Sequence, residues 1–237
     1  MAFTVPAVVE RLLTADVAAE IARTFGDRAI YPQRILVDSQ AGPSLRWPGP
    51  ARRFPGWPGP VLALSDENQG VCSWGVPVHG SSGEVLVGGE LLDAGHVTVV
   101  YAASVEDFIA ARRWDHQCLN SIPVLQAQAV DLDQASLGYL QARLAPLVPT
   151  AGWPGSRQYR FEGQDVRVML WSCAGQCDWW VSASSAASLK AFTAGLLDLP
   201  DLSKALWSSD EAGARLLYEL RGLRASESGG GHHAHER

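Results

Sequence analysis

Cys173 and Cys177, separated by Ala174, Gly175 and Gln176, are the residues whose type and spacing first suggest chemistry. Paired thiolates suit zinc, but a structural zinc needs four ligands, and no second pair at CxxC or HxxxH spacing accompanies them. With Gly175 in a turn, the two read as plain thiols flanking a hairpin corner, with a redox pair as the other reading. His116 and Cys118 place an imidazole two residues from a thiol, as a nucleophile and its base would require. Catalytic Cys and His normally meet through the fold rather than by adjacency, and no oxyanion-hole glycine motif follows them. His232, His233 and His235 offer imidazoles to a transition metal only at the full ordering entropy of a flexible tail, so they read as solvated. The glycines between Gly80 and Gly89 come without the Lys of a phosphate loop and without the strand–GxGxxG–helix order of a dinucleotide fold. Asp66 and Glu67 are an acidic pair beside an ordered corner, whereas glycosidase-type chemistry needs two carboxylates across a cleft. No residue is assigned a catalytic, cofactor-binding or metal-binding role.

The richest polar stretch is Ser65-Asp66-Glu67-Asn68-Gln69-Gly70-Val71-Cys72-Ser73-Trp74-Gly75. Apolar Val61, Leu62, Ala63 and Leu64 precede it, and Val71, Trp74 and Val76 follow. Two strand-like runs around a short polar segment ending in Gly predict a hairpin or tight corner, with Gly70 supplying a positive φ. Asp66, Glu67, Asn68 and Gln69 are suited to hydrogen-bonding the backbone around such a turn, a structural role that outweighs direct contact with a partner. Trp74 reads as core rather than as an interface hot spot.

The run VLALSDENQGVCSWGV, followed by Ala103-Ser104-Val105-Glu106-Asp107-Phe108-Ile109, resembles the SUKH superfamily of bacterial immunity proteins and relatives of a fungal cell-wall synthesis regulator. Its members carry an apolar strand, an E-N-Q-G-V-type corner, a Trp-Gly pair and a Ser-Leu-x-x-Phe-Leu helix start. The likeness spans Phe54 to Trp114, with Val105 where Leu is more usual and Ile109 in place of the second Leu. It implies an α+β domain that binds and neutralises a toxin without catalysis, with Asp66, Glu67, Asn68, Gln69, Gly70 and Trp74 as its partner-binding or fold-defining motif.

Composition bounds the function classes. At 237 residues, 47% apolar and 19% charged, the chain fits one large domain or two small ones with a real core. Nine Trp raise the expectation of a binding surface without locating it. A net charge of −6 argues against a nucleic-acid backbone binder, and suits a basic partner such as a nuclease toxin as well as ordinary solubility. No apolar run approaches the roughly 20 residues that span a bilayer. The N-terminal stretch has no cationic leader pattern and is interrupted by Glu10, Arg11, Asp16 and Glu20, so no signal peptide is expected. The four Cys are then expected as free thiols in a cytoplasm.

The elements that must position the corner are expected as follows. Val5, Val8, Val9, Leu12, Leu13, Val17, Ile21 and Phe25 recur at helical spacing, predicting an N-terminal helix. A strand over Arg34–Val37 leads to a Pro-rich extended passage in which Trp47 and Trp57, each before Pro, plug the sheet. Strands follow at Val61–Leu64, Val71–Val76, Glu84–Glu90 and His96–Tyr101, and a helix opens at Ser104 with Asp107 in a shortened capping box. Leu132 to Leu147 reads as a helix ended by Pro146 and Pro149. Asp165–Trp171 and Asp178–Ala183 form a second hairpin, and Ser188 with Phe192 echoes Ser104 with Phe108, suggesting a duplication.

The expected fold is therefore α+β, a mostly antiparallel sheet flanked by helices, in two related sheet-plus-helix halves. Residues 1–150 form the SUKH-like region, 151–224 a second half bounded at VPTAGWPGS, and 225–237 a disordered tail. The expected partner is a cognate protein toxin, with neither nucleic acid nor membrane, and the oligomeric state is open. Two other readings stand beside it: a scaffold or peptide- or glycan-binding module using the loop from Trp47 to Trp57, and a thiol enzyme using Cys118 or Cys177.

Overall fold

The computed structural model describes residues 3–23, 26–38, 53–79, 83–91, 95–153 and 155–229. The first elements are helices α1 (Ala7–Leu12) and α2 (Ala15–Arg23), strands β1 (Arg28–Ala29), β2 (Val37–Asp38), β3 (Val61–Asp66), β4 (Cys72–Pro77), β5 (Val85–Leu91) and β6 (Gly95–Ala102), and helix α3 (Val105–Leu119). Then come β7 (Val124–Asp131), α4 (Gln134–Gln141), β8 (Ala145–Pro146), β9 (Thr150–Ala151), β10 (Arg157–Glu162), β11 (Val166–Cys173), β12 (Gln176–Ala183), α5 (Ala186–Leu196), α6 (Pro200–Ala205) and α7 (Glu211–Gly229). The protein is α+β, with two antiparallel sheets and their helices. No helix among the described residues is long and apolar enough to cross a membrane.

The chain divides into two compact units, residues 1–117 with 148–158, and residues 118–147 with 159–237. The division expected at residue 150 falls inside the segment that returns to the first unit. VPTAGWPGS is not a linker: Thr150 and Ala151 form β9, and Trp153 packs against the first unit's core. Gly152 takes φ +81°, and a Cβ there would overlap Val87, so only glycine lets this segment approach so closely.

In the first unit the strand order is β1-β3-β4-β5-β6, with β2 also on β3. Strands β3 and β4 are buried along their whole length because both faces are covered. Leu62, Leu64, Trp74 and Val76 face one cluster with Val9, Leu13, Ile21 and Phe108. Val61 and Ala63 face the other way, into a smaller cluster with Ile30, Phe54 and Leu86. The Trp-Gly pair follows from this alternation. Trp74 fills the first face, and a Cβ on Gly75 would overlap the Phe54 ring and Val61 on the second.

The N-terminal helix is two helices rather than one. Leu13 leaves helical geometry (φ −101°, ψ 68°), and the Thr14 hydroxyl accepts from the Val17 N–H at 3.4 Å, restarting the helix. The expected strand over Arg34–Val37 shrinks to Val37–Asp38, after a turn at residues 31–33, and Ile35 is exposed. Trp57 packs on the smaller cluster, while Trp47 lies outside the described residues.

The second unit's sheet runs β7-β12-β11-β10-β8. Its β11–β12 hairpin turns on Ala174 and Gly175 at φ +50° and +88°, the paired positive φ values of a two-residue type I′ turn. Leu125, Val168, Leu170, Trp179 and Val181 pack with Leu189, Phe192 and Leu196 of α5 and with Leu216, Leu217 and Leu220 of α7. The helix expected over Leu132–Leu147 is shorter, from an Asp133 cap that accepts from the Ser136 N–H at 2.6 Å to Gln141. Pro146 already belongs to β8. The expected tail is corrected too: Ala225–Gly229 continue α7, carried past its last buried leucine by helix-forming Ala and Glu. Residues 230–237, with the three tail histidines, lie outside the described residues.

Both units end a hairpin in a serine-capped helix, but the correspondence runs one turn earlier than its sequence suggests. Ser104 accepts from the Asp107 N–H at 3.0 Å, and Ser185, not Ser188, accepts from the Ser188 N–H at 3.1 Å. Matched cap to cap, Phe108 corresponds to Leu189, and both are fully buried.

Candidate functional site

The corner between β3 and β4 closes on its own backbone. The Glu67 N–H donates to the Cys72 carbonyl at 2.9 Å and the Gly70 N–H to the Glu67 carbonyl at 2.9 Å. Gly70 takes φ +76°, which an L side chain adopts only with strain. The Glu67 carboxylate folds back over the turn and accepts from the Gln69 N–H at 2.7 Å and the Val71 N–H at 3.3 Å. One acidic side chain thus satisfies two donors that the tight turn leaves without ladder partners.

Two carboxylates anchor this turn from below. Asp27, just before β1, accepts from the Asn68 N–H at 3.1 Å and forms an ion pair with Arg112 of α3. The Asp27 and Arg112 side chains are 0% and 2% exposed. The Arg112 guanidinium lies over the Trp74 ring, 4.7 Å from its centroid. Trp74 meets Tyr101 edge-on at 6.1 Å, and Tyr101 meets Phe108 at 5.8 Å. The Tyr101 hydroxyl donates to Gln158 Oε1 at 3.3 Å, the Thr150 hydroxyl donates to the same oxygen at 3.0 Å, and Gln158 Nε2 donates to the Trp153 carbonyl at 2.8 Å. A chain of packed and hydrogen-bonded groups therefore runs from the corner through α3 to the β9 segment.

Asp66 is the second anchor. It accepts from Arg28 at 2.6 Å, from Arg53 Nε at 2.9 Å and from the Ser73 hydroxyl at 2.7 Å. Burial by itself pushes its carboxyl up, but the hydrogen bonds from Arg53, Ser73 and Arg28 override this and hold it below the usual carboxylate value. Asp27 goes the other way: burial raises it, against the pull of Arg112 and the Asn68 N–H. Burial, with the charges of Glu67 and Asp27 nearby, also drives the Cys72 thiol far up, so it remains protonated.

Of the six corner residues expected to carry the motif, Asp66, Glu67 and Trp74 are buried, and Asn68, Gln69 and Gly70 form an exposed tip. The buried three face the interior, and the tip faces outward. Asp27, Arg28, Arg53 and Arg112, which complete the arrangement, escape sequence reading because their partners lie far along the chain. Arg112 alone left a signal, since it follows Val105, Phe108 and Ile109 at helical spacing and so sits on the core face of α3.

The remaining chemical candidates come apart in three dimensions. Cys173 pairs with Gln176 and Ser172 with Cys177 on adjacent rungs of the hairpin, so the two thiols point to opposite faces of the sheet. They cannot join in a disulfide without breaking the hairpin. Cys173 is exposed, whereas Cys177 is buried and pushed up by that burial. His116 and Cys118 are two residues apart on α3, about 200° around its axis, and Cys118 is buried as the acceptor of the Ser182 hydroxyl at 3.6 Å. Among the described residues no three His, Cys, Asp or Glu side chains are grouped to hold a metal ion.

Three tryptophans gather on one face of the second sheet. Trp171 and Trp180, both half-buried, meet in a tilted contact, with centroids 3.9 Å apart and ring planes 46° to one another. Trp180 is paired across the strands with Gln126, which in turn bridges to Trp207, 39% exposed. Paired residues share a sheet face, so these side chains stand on one side and Trp179 on the other, in the core.

No family model matches the chain, and no curated protein and no solved structure matches it.

Proposed function

We propose that this chain is a SUKH-like immunity protein, which binds a cognate bacterial toxin in the cytoplasm and neutralises it by stoichiometric occlusion rather than by catalysis. The observation that carries this reading is the corner itself. The residues that resemble the superfamily come together as one architectural unit, with Trp74 and Phe108 joined through Tyr101, and Asp66 and Glu67 organising the turn above them. The exposed tip at Asn68–Gly70 is held by Glu67 and Asp27, and a preordered tip lowers the entropy cost of docking. The net charge of −6 favours association with a basic toxin through long-range steering.

Tagged protein used as bait in its source cell tests this reading, with mass spectrometry of the retained proteins and a growth assay co-expressing any toxin-like partner. A stoichiometric partner whose toxicity the chain suppresses supports immunity. Folded bait that retains no such partner removes it.

A second reading, a peptide- or glycan-binding module, is supported by the tilted Trp171–Trp180 pair and by Trp207; the loop from Trp47 to Trp57 expected to serve it lies partly outside the described residues. Aromatic faces stack on sugar rings and on proline. Titration with oligosaccharides and Pro-rich peptides, read by Trp fluorescence, separates the two: saturable quenching abolished by Trp207→Ala supports this module, and a flat response rejects it.

A further inference from the structure

We draw no further inference here: the strongest candidate, the aromatic patch of Trp171, Trp180 and Trp207 on one face of the second sheet, belongs to the second reading already given, and nothing in the structure shows what covers it.

Discussion

Two carboxylates within one corner answer to opposite physics. Asp27 is buried against Arg112, and the attraction between them has to offset the desolvation of both charges. Removing Arg112 withdraws the guanidinium from a carboxylate that is itself fully buried. Arg112→Met is expected to cost about 3–5 kcal/mol in urea denaturation. The double variant Asp27→Leu with Arg112→Met should recover most of that loss, because it removes both desolvation penalties together. Recovery by the double variant distinguishes an ion-pair effect from lost packing on Trp74. Asp66 instead has a lowered carboxyl, so its contribution to stability is fully present above the unfolded value of about 3.9 and is lost as pH falls through its lower folded value. Asp66→Asn should therefore flatten the acid limb of the stability profile below about pH 4, measured by denaturation at a series of pH values. Asp27, being raised, contributes with the opposite sign: its share is present at low pH and lost as pH rises through its folded value.

At the scale of elements, turn and cap chemistry sets where strands and helices begin. The β11–β12 turn needs positive φ at both central positions, yet the first is Ala174. A β-carbon in that conformation costs roughly 1 kcal/mol, and Asn-Gly is the preferred pair for this turn. Ala174→Asn is expected to raise the melting temperature, with a stabilisation of up to about 1 kcal/mol; a fall would show that Ala174 has a role beyond the turn. The serine caps explain why a reading from spacing alone places the second helix start a turn late. Ser185 and Ser188 both have an apolar residue four positions on, Leu189 and Phe192, and periodicity does not choose between them. The hydrogen bond at Ser185 chooses. The break between α1 and α2 has a similar cause, since Val9, Leu13, Ala18 and Ile21 hold one buried face across a chain that is locally not helical.

On the scale of the whole molecule, each unit has its own core, and burial sorts the thiols. Cys72 and Cys118 of the corner and α3, and Cys177 of the second hairpin, are buried, and Cys173 is exposed. An aromatic disulfide reagent should label one thiol in the folded protein and all four after unfolding, with Cys173→Ser abolishing the native reaction. Rapid labelling of a second thiol under native conditions would show that one of the buried sulfurs is accessible. The same sorting bears on chemistry: the buried Cys118 and Cys177 are poorly placed as nucleophiles.

Local pattern along the chain settles the mixed α+β class, the antiparallel hairpins and the closing of the corner. Each follows from neighbours in the chain, through alternation, turn residues and caps. Thus Val61–Leu64 was legible as strand, Trp74 as core, and Gly70 as the turn's glycine. Which polar residues hold the corner is fixed by the assembled fold, because Asp27 meets Arg112 across 85 positions of the chain and Arg28 meets Asp66 across 38. That fold alone decides that residues 148–158 return to the first unit, since that depends on a close approach at Gly152 to Val87. The physical reason is common to both: these outcomes rest on contacts between distant segments, whose free energy no local pattern of residues records.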